Sequence, residues 1–322
     1  MRVVVLGAGG FLGSRLVSRV VRDRSIGPRM LSELVLLDMR PAQHPQSAAC
    51  AITQVQGDLR ERRVLDELFS RPVDVIFHLA ATLTLDAETD FLRGVETNVL
   101  ALIDLLERCR QQSPRPMLLF ASSISTFGGE LPEVVGDDVL QAPTTSYGTH
   151  KVVAEHLLAD YSRHGFIDGR ALRLPIVVTH PGPPSGSISD QVSSMIREPL
   201  RGRTVTCQIA PDSRMVVASV DKVLDGFLRL ASLSAEAVRA ARIMNLPGLT
   251  VTPIDLANAV SRHLAVSAGA FVQWRPEPHV QRIIDGWPKA FTSQRALALG
   301  IEGDVTADAL VDAFVANETS GA

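Results

Sequence analysis

Only three cysteines stand in 322 residues. Cys50, Cys109 and Cys207 are far apart, odd in number and not at metal-ligand spacing. That argues against a disulfide framework, leaves no metal site to expect, and makes a reducing cytoplasm the natural compartment. An excess of positive charge is also missing: 32 Lys and Arg against 35 Asp and Glu leave a net charge of -3, without the basic footprint of a nucleic-acid binder. No apolar run is long enough for a membrane span or a signal-peptide core, since Val3-Val4-Val5-Leu6 stops at glycines. Repeats and low-complexity linkers are absent too. What is present is a chain 46% hydrophobic and 21% charged, long enough for one large α/β domain or a domain with a smaller lobe. Its expected partners are small molecules, with no nucleic acid and no membrane.

The first residues carry the strongest local pattern. A β-branched strand, Val3 to Leu6, runs into Gly7-Ala8-Gly9-Gly10-Phe11-Leu12-Gly13, and apolar residues Leu16, Val17, Val20 and Val21 then follow at helical spacing. Strand, glycine turn and helix bring a backbone close to a pyrophosphate, which rests on the free N–H groups of the helix N-terminus. Gly7, Gly10 and Gly13 are the glycines used, with Phe11 and Leu12 between them; this G-x-x-G-x-x-G spacing departs from the general G-x-G-x-x-G. A second strand, Leu34 to Leu37, ends in Asp38, placed to bind the adenosine ribose hydroxyls and repel the extra phosphate of NADP, so NAD is the expected cofactor. Arg40 is either a solvated loop charge or a cation that accommodates that phosphate.

Further strands follow at Gln54–Leu59 and Val73–Ala81, with a helical pattern between them. This rhythm indicates an α/β fold with a doubly wound, parallel, Rossmann-type sheet. Asp58 and its neighbour Leu59 are candidates for the adenine, and the small Ala80 and Ala81 leave room for backbone contact with the cofactor. His78 sits inside an apolar strand and reads as a satisfied core histidine. Asn98, near the start of a helix over 96–108, reads on structural grounds alone as a helix-terminus residue. A fifth strand, Pro116 to Ala121, ends in Ser122-Ser123, where a hydroxyl suits a donor to a substrate oxygen.

Ser146-Tyr147-Gly148-Thr149-His150-Lys151 opens a helix with a phenol and an ammonium four residues apart, on one face. A Lys⁺ beside a Tyr favours the phenolate, which makes Tyr147 a candidate general base.

Taken in order, Gly7/Gly10/Gly13, Asp38, His78-Leu79-Ala80-Ala81, Asn98-Val99, Ser122-Ser123 and Tyr147-x-x-x-Lys151 resemble the extended short-chain dehydrogenase/reductases, which include nucleotide-sugar epimerases. The resemblance covers most of the chain. It implies a catalytic tetrad of Asn98, Ser123, Tyr147 and Lys151, with Tyr147 as base, Ser123 as hydrogen-bond donor and substrate contact, and Lys151 lowering the Tyr pKa and holding the nicotinamide ribose. Asn98 would hold a water linking Lys151 to solvent. Ser123 is preferred to Ser122 because the family's hydroxyl lies four residues before an aromatic-Gly pair, here Phe127-Gly128. A homodimer packed on the helices that begin near Asn98 and Tyr147 is implied as well.

The second half bears on the substrate. The expected organisation is a NAD-binding domain over 1–178 and a smaller, discontinuous substrate lobe over 179–322, with about 215–262 returning to the sheet. A sixth strand over Gly169–Val178 leads into a Pro- and Gly-rich loop, His180 to Ser187. Arg197 and Arg214 are candidates to clamp an anionic substrate, each with an ordinary salt bridge as its alternative. Ala159-Asp160-Tyr161-Ser162-Arg163, Arg173-Leu174-Pro175, Asn245-Leu246-Pro247-Gly248 and Gly286-Trp287-Pro288, among other segments, resemble the D-erythronate dehydrogenases of the same superfamily. That resemblance implies NAD-dependent oxidation of the C2 hydroxyl of a four-carbon sugar acid. Two other readings stand beside it: a nucleotide-sugar epimerase or dehydratase, from whose common Arg-x-x-Asn pattern Arg173-Leu174-Pro175 departs, and a non-catalytic NAD-binding regulator.

Overall fold

The computed structural model describes residues 1–42, 44, 50–178 and 187–319. Contacts divide them into two compact units, one of Met1–Thr126, Thr145–Arg173 and Leu224–Met244, the other of Phe127–Thr144, Leu174–Val223 and Asn245–Ala322. The return segment expected over 215–262 is thus shorter, and residues 127–144, expected in the first domain, belong to the second unit.

The first unit is built on strands β1 (Arg2–Leu6), β2 (Glu33–Asp38), β3 (Ala51–Gln56), β4 (Val75–His78), β5 (Met117–Ser123) and β6 (Asp168–Leu174). With a late strand, Ile243–Asn245, they form a seven-stranded sheet in the order β3-β2-β1-β4-β5-β6-late strand. The pairings β3–β2, β2–β1, β1–β4 and β4–β5 are parallel, with Val4 opposite both Val35 and Ile76. This is the Rossmann order, in which ligands lie beyond the carboxyl ends of the strands. Every residue of β1 is buried, as a central parallel strand covered on both faces requires. Helices α1 (Phe11–Asp23), α2 (Arg62–Leu68), α3 (Thr84–Thr89), α4 (Phe91–Val95), α5 (Ala101–Arg110) and α6 (Ser146–Arg163) belong to this unit. Leu102, Leu105, Leu106 and Cys109 recur at i, i+3, i+4 and i+7 and bury one stripe of α5 in a core with Val4, Ile76 and Leu118.

Two strands end differently from expectation. The third stops at Gln56, with a last cross-strand bond from Gly57 N–H to the Asp38 carbonyl; Asp58 and Leu59 lie in the loop beyond it. The sixth breaks at Pro175, whose missing N–H cannot continue a ladder. Ile176–Val178 instead pairs parallel with Met215–Ser219 in a three-stranded sheet of the second unit, completed by antiparallel Leu249–Val251. That unit also holds helix α7 (Ile188–Leu200), and a helix at Pro253–Ser261 opened by a Thr252/Asp255 capping box. The loop expected at 180–187 lies, up to residue 186, outside the described residues. Among the described residues no helix is long and apolar enough to cross a membrane.

Arg170, fully buried in β6, is held by Asp168 and donates to the carbonyls of Leu230 and Leu233. Removing Arg170 strips Asp168 of one of its two arginine partners, Arg242 remaining, and breaking a buried ion pair costs up to about 3–5 kcal/mol. Arg170→Met should lower unfolding stability by a loss of that order, read as a shifted denaturant midpoint; an unchanged midpoint would contradict the role.

Candidate active site

The glycine turn is fixed by crowding of the backbone against itself. Gly7 takes φ +85°, and a Cβ there would stand 2.8 Å from the Ala80 nitrogen; a Cβ on Gly13 would stand 2.0 Å from the Gly7 carbonyl oxygen. Gly10 is the N-cap of α1 and supplies no side-chain cap, and the first turn of α1 carries no acidic residue. No carboxylate of the helix's own thus competes for its positive end, which is the arrangement a pyrophosphate needs. Phe11, Leu12, Ala80 and Ala81 are half-buried around this turn. Asp38 closes it at the tip of β2: one carboxylate oxygen accepts from Gly9 N–H at 3.0 Å and the other from Arg40 N–H at 3.1 Å. Each oxygen keeps lone-pair capacity for a ribose hydroxyl. These residues fit a bound dinucleotide.

The adenine candidates stand differently. Asp58 is engaged by Arg60, which also reaches Glu96 at 2.8 Å, and Arg60 holds its carboxyl below the usual range. The side chain of Leu59 is in the hydrophobic core.

Thr145 caps α6 by accepting from Gly148 N–H at 3.1 Å, which sets the first turn and places Tyr147 and Lys151 on one stripe. Lys151 is 3% exposed. Its Nζ donates to the Ala121 carbonyl at 2.7 Å, 4.4 Å from the centre of the Phe120 ring and 5.3 Å from that of Tyr147. Burial pushes Tyr147 up to about 12, and a hydrogen bond with Ser123 acts against it. Burial likewise pushes Lys151 down to about 7, opposed by the charge of Glu155. Burial thus works against the charged form of each member of the pair, the reverse of the influence the sequence assigned to the neighbouring ammonium, while Glu155 favours the charged form of Lys151.

Ser122 and Ser123 separate by strand alternation. Ser122 is buried and donates to Glu155 at 2.5 Å; Ser123 is half-buried, accepts from Ser125 N–H at 3.1 Å and hydrogen-bonds with Tyr147. Asn98 is not at a helix terminus. It sits in a π-helical turn, Glu96–Leu100, joining α4 to α5, the kind of bulge that recurs at functional sites. Its side chain accepts from Thr82 N–H and donates to Thr82 C=O, each at 2.9 Å, and lies 3.3 Å from His150 Nδ1. His78 is in the core, as expected, yet neither ring nitrogen has a partner among the described residues, and burial lowers its pKa to about 3.

The arginine candidates belong to the second unit. Arg197 is fully buried on α7, held by Asp190 at 2.9 Å, Glu198 at 2.7 Å and Ser194 at 2.7 Å, which makes it the core of an ion-pair cluster. Arg214 is exposed and pairs with Glu133 at 2.6 Å. The sequence reading passed over Glu155 and Thr82, and gave Arg173 and His150 no part in the site. For Glu155 a signal existed: it is four residues beyond Lys151 on the same stripe.

The sequence profile of the NAD dependent epimerase/dehydratase family matches residues 3–245. A D-erythronate dehydrogenase of Cupriavidus necator is 36% identical over 319 residues, 98% of each chain. Another, of Haemophilus influenzae, is 33% identical over 315 residues, 98% of this chain and 99% of that one. A solved structure described as a nucleoside-diphosphate-sugar epimerase from Agrobacterium tumefaciens has a TM-score of 0.94 at 31% identity, covering 100% of this chain and 95% of its own. Fold, cradle and comparisons together define an NAD-using enzyme of the extended short-chain dehydrogenase/reductase superfamily. The chain belongs to the NAD dependent epimerase/dehydratase family, and it is an oxidoreductase acting on a CH–OH group.

Gly13→Val should abolish NAD binding, because the new side chain displaces the turn; calorimetric titration showing wild-type affinity would refute the crowding argument. Asp38→Asn removes a charge-assisted contact of about 1.5–3 kcal/mol. NAD should then bind roughly 10- to 100-fold more weakly and NADP comparatively better, measured side by side.

Proposed function

We propose that this protein oxidises the C2 hydroxyl of D-erythronate, a four-carbon sugar acid, to 2-oxo-D-erythronate, in cytoplasmic carbohydrate metabolism. The observation that carries the reading is the end-to-end match to two D-erythronate dehydrogenases in a chain whose Tyr147, Lys151 and Ser123 lie together at the strand ends. When bound, NAD would supply the hydride acceptor, and Gly7, Gly10, Gly13 and Asp38 would hold it. Tyr147, as phenolate, takes the proton of the C2 hydroxyl, while Ser123 donates a hydrogen bond to the same oxygen. Lys151 carries the charge that stabilises the phenolate. Asn98, fastened to Thr82, keeps the π-helical turn in place beside His150. Arg197 and Arg214 stay the candidates for the carboxylate, the first enclosed in its ion-pair cluster and the second exposed and paired with Glu133.

A homodimer is part of this proposal. Phe91, Leu92 and Leu100 on α4 and the π-helical turn, and Val153 on α6, are exposed apolar side chains of the kind that a second copy covers. The cytoplasmic placement is supported by three cysteines that are all free.

A second reading, an epimerase that returns its hydride, draws on the name of the Agrobacterium structure. Purified protein with NAD⁺ and a panel of four-carbon sugar acids separates the two: reduced nicotinamide should accumulate with D-erythronate. Turnover of a nucleotide sugar, with no signal from any acid, would overturn the proposal. Tyr147→Phe should cut turnover about 10²- to 10⁴-fold with NAD binding largely kept, and unchanged turnover would remove Tyr147 from the mechanism.

A further inference from the structure

Glu155 lies one turn beyond Lys151 on α6 and is 3% exposed. Arg173 of β6 grips its carboxylate in a fork, Nε to both oxygens at 3.1 Å and Nη2 to Oε2 at 2.9 Å. Ser122 of β5 donates to Oε1. The carboxylate therefore ties three elements together immediately behind the reacting groups.

Two consequences follow from this placement. Ser122 directly precedes Ser123, and adjacent strand residues point to opposite faces, so fastening Ser122 to α6 fixes the rotation of the strand tip that presents Ser123 to Tyr147. Glu155 is also the source of negative charge acting on buried Lys151. Among the described residues the other groups placed around that side chain are Tyr147 and His150 on its own helix, neutral His78 on β4, the Phe120 ring and Ala121 carbonyl on β5, and Arg173 on β6, which grips Glu155.

We propose that Glu155 is a positioning residue for the Tyr147–Lys151–Ser123 site: clamped by Arg173, its carboxylate steadies the tip of β5 through Ser122 and sets a negative charge one helical turn from the buried Lys151. This rests on the reading of those three residues as the reacting groups. Without the charge of Glu155, Lys151 becomes a neutral amine at lower pH, and a neutral amine cannot stabilise a phenolate.

The test reads Lys151 directly. The chain has three lysines, Lys151, Lys222 and Lys289, so ¹³C-lysine labelling gives three Cε signals, assigned with Lys222→Arg and Lys289→Arg. In Glu155→Gln the Lys151 midpoint should fall by about one pH unit, a tenfold loss of proton affinity, and Glu155→Asp should restore part of it. The pair Glu155→Gln/Arg173→Met removes both charges together, so that no buried ion is left alone if the single variant fails to fold; its midpoint should fall in the same direction. Ser122→Ala cuts only the tie to the strand and should lower kcat several-fold with the Lys151 midpoint unmoved. A folded Glu155 variant whose midpoint matches wild type would overturn the proposal and leave the role of Tyr147 untouched. Wild-type turnover in Tyr147→Phe, by contrast, would overturn the reading of the site on which it rests.

Discussion

A primary amine held out of water against a strand carbonyl is the constraint around which this molecule is arranged. Lys151 has Phe120 under it, Ala121 accepting from it and, close by, the His78 imidazole, which has no hydrogen-bond partner among the described residues. Such a setting favours the uncharged amine, and the same burial favours the uncharged phenol of Tyr147. Reactivity then depends on charges placed near the pair at the moment they are needed. The protein provides one at Glu155.

Much of the first unit was legible because its signals are local. Buried parallel strands read as unbroken β-branched runs, and the glycines of the turn announce themselves by spacing; Gly7 and Gly13 stand where the backbone leaves no room for a Cβ. The choice of Ser123 over Ser122 rested on family spacing; in the strand the two alternate, Ser122 donating to Glu155 and Ser123 hydrogen-bonding with Tyr147. What escaped was set by distant partners. Nothing local in Arg173-Leu174-Pro175 says that its guanidinium closes on a carboxylate eighteen residues earlier, nor that the proline divides one apparent strand between two sheets. A widened helical turn at Asn98 is equally silent in sequence, since the residues there have ordinary helix-forming spacing.

The second unit was the harder to read. Its strands are three to five residues long, too short for periodicity to distinguish, and its arginines look alike on the page. Burial separates them: Arg197 is enclosed by Asp190, Glu198 and Ser194, whereas Arg214 meets a single exposed glutamate. Equal residue types at comparable spacing can thus be a keystone and an available cation.

The π-helical turn has a further consequence, one of phase. An α-helix advances about 100° per residue, so the one extra residue taken up between Glu96 and Leu100 offsets α4 from α5 by roughly that angle. It lets Phe91 and Leu92 face outward while Leu102, Leu105 and Cys109 face the core on a continuous rod. Losing a single residue here would relax the turn to ordinary helix and swing one of those stripes out of place.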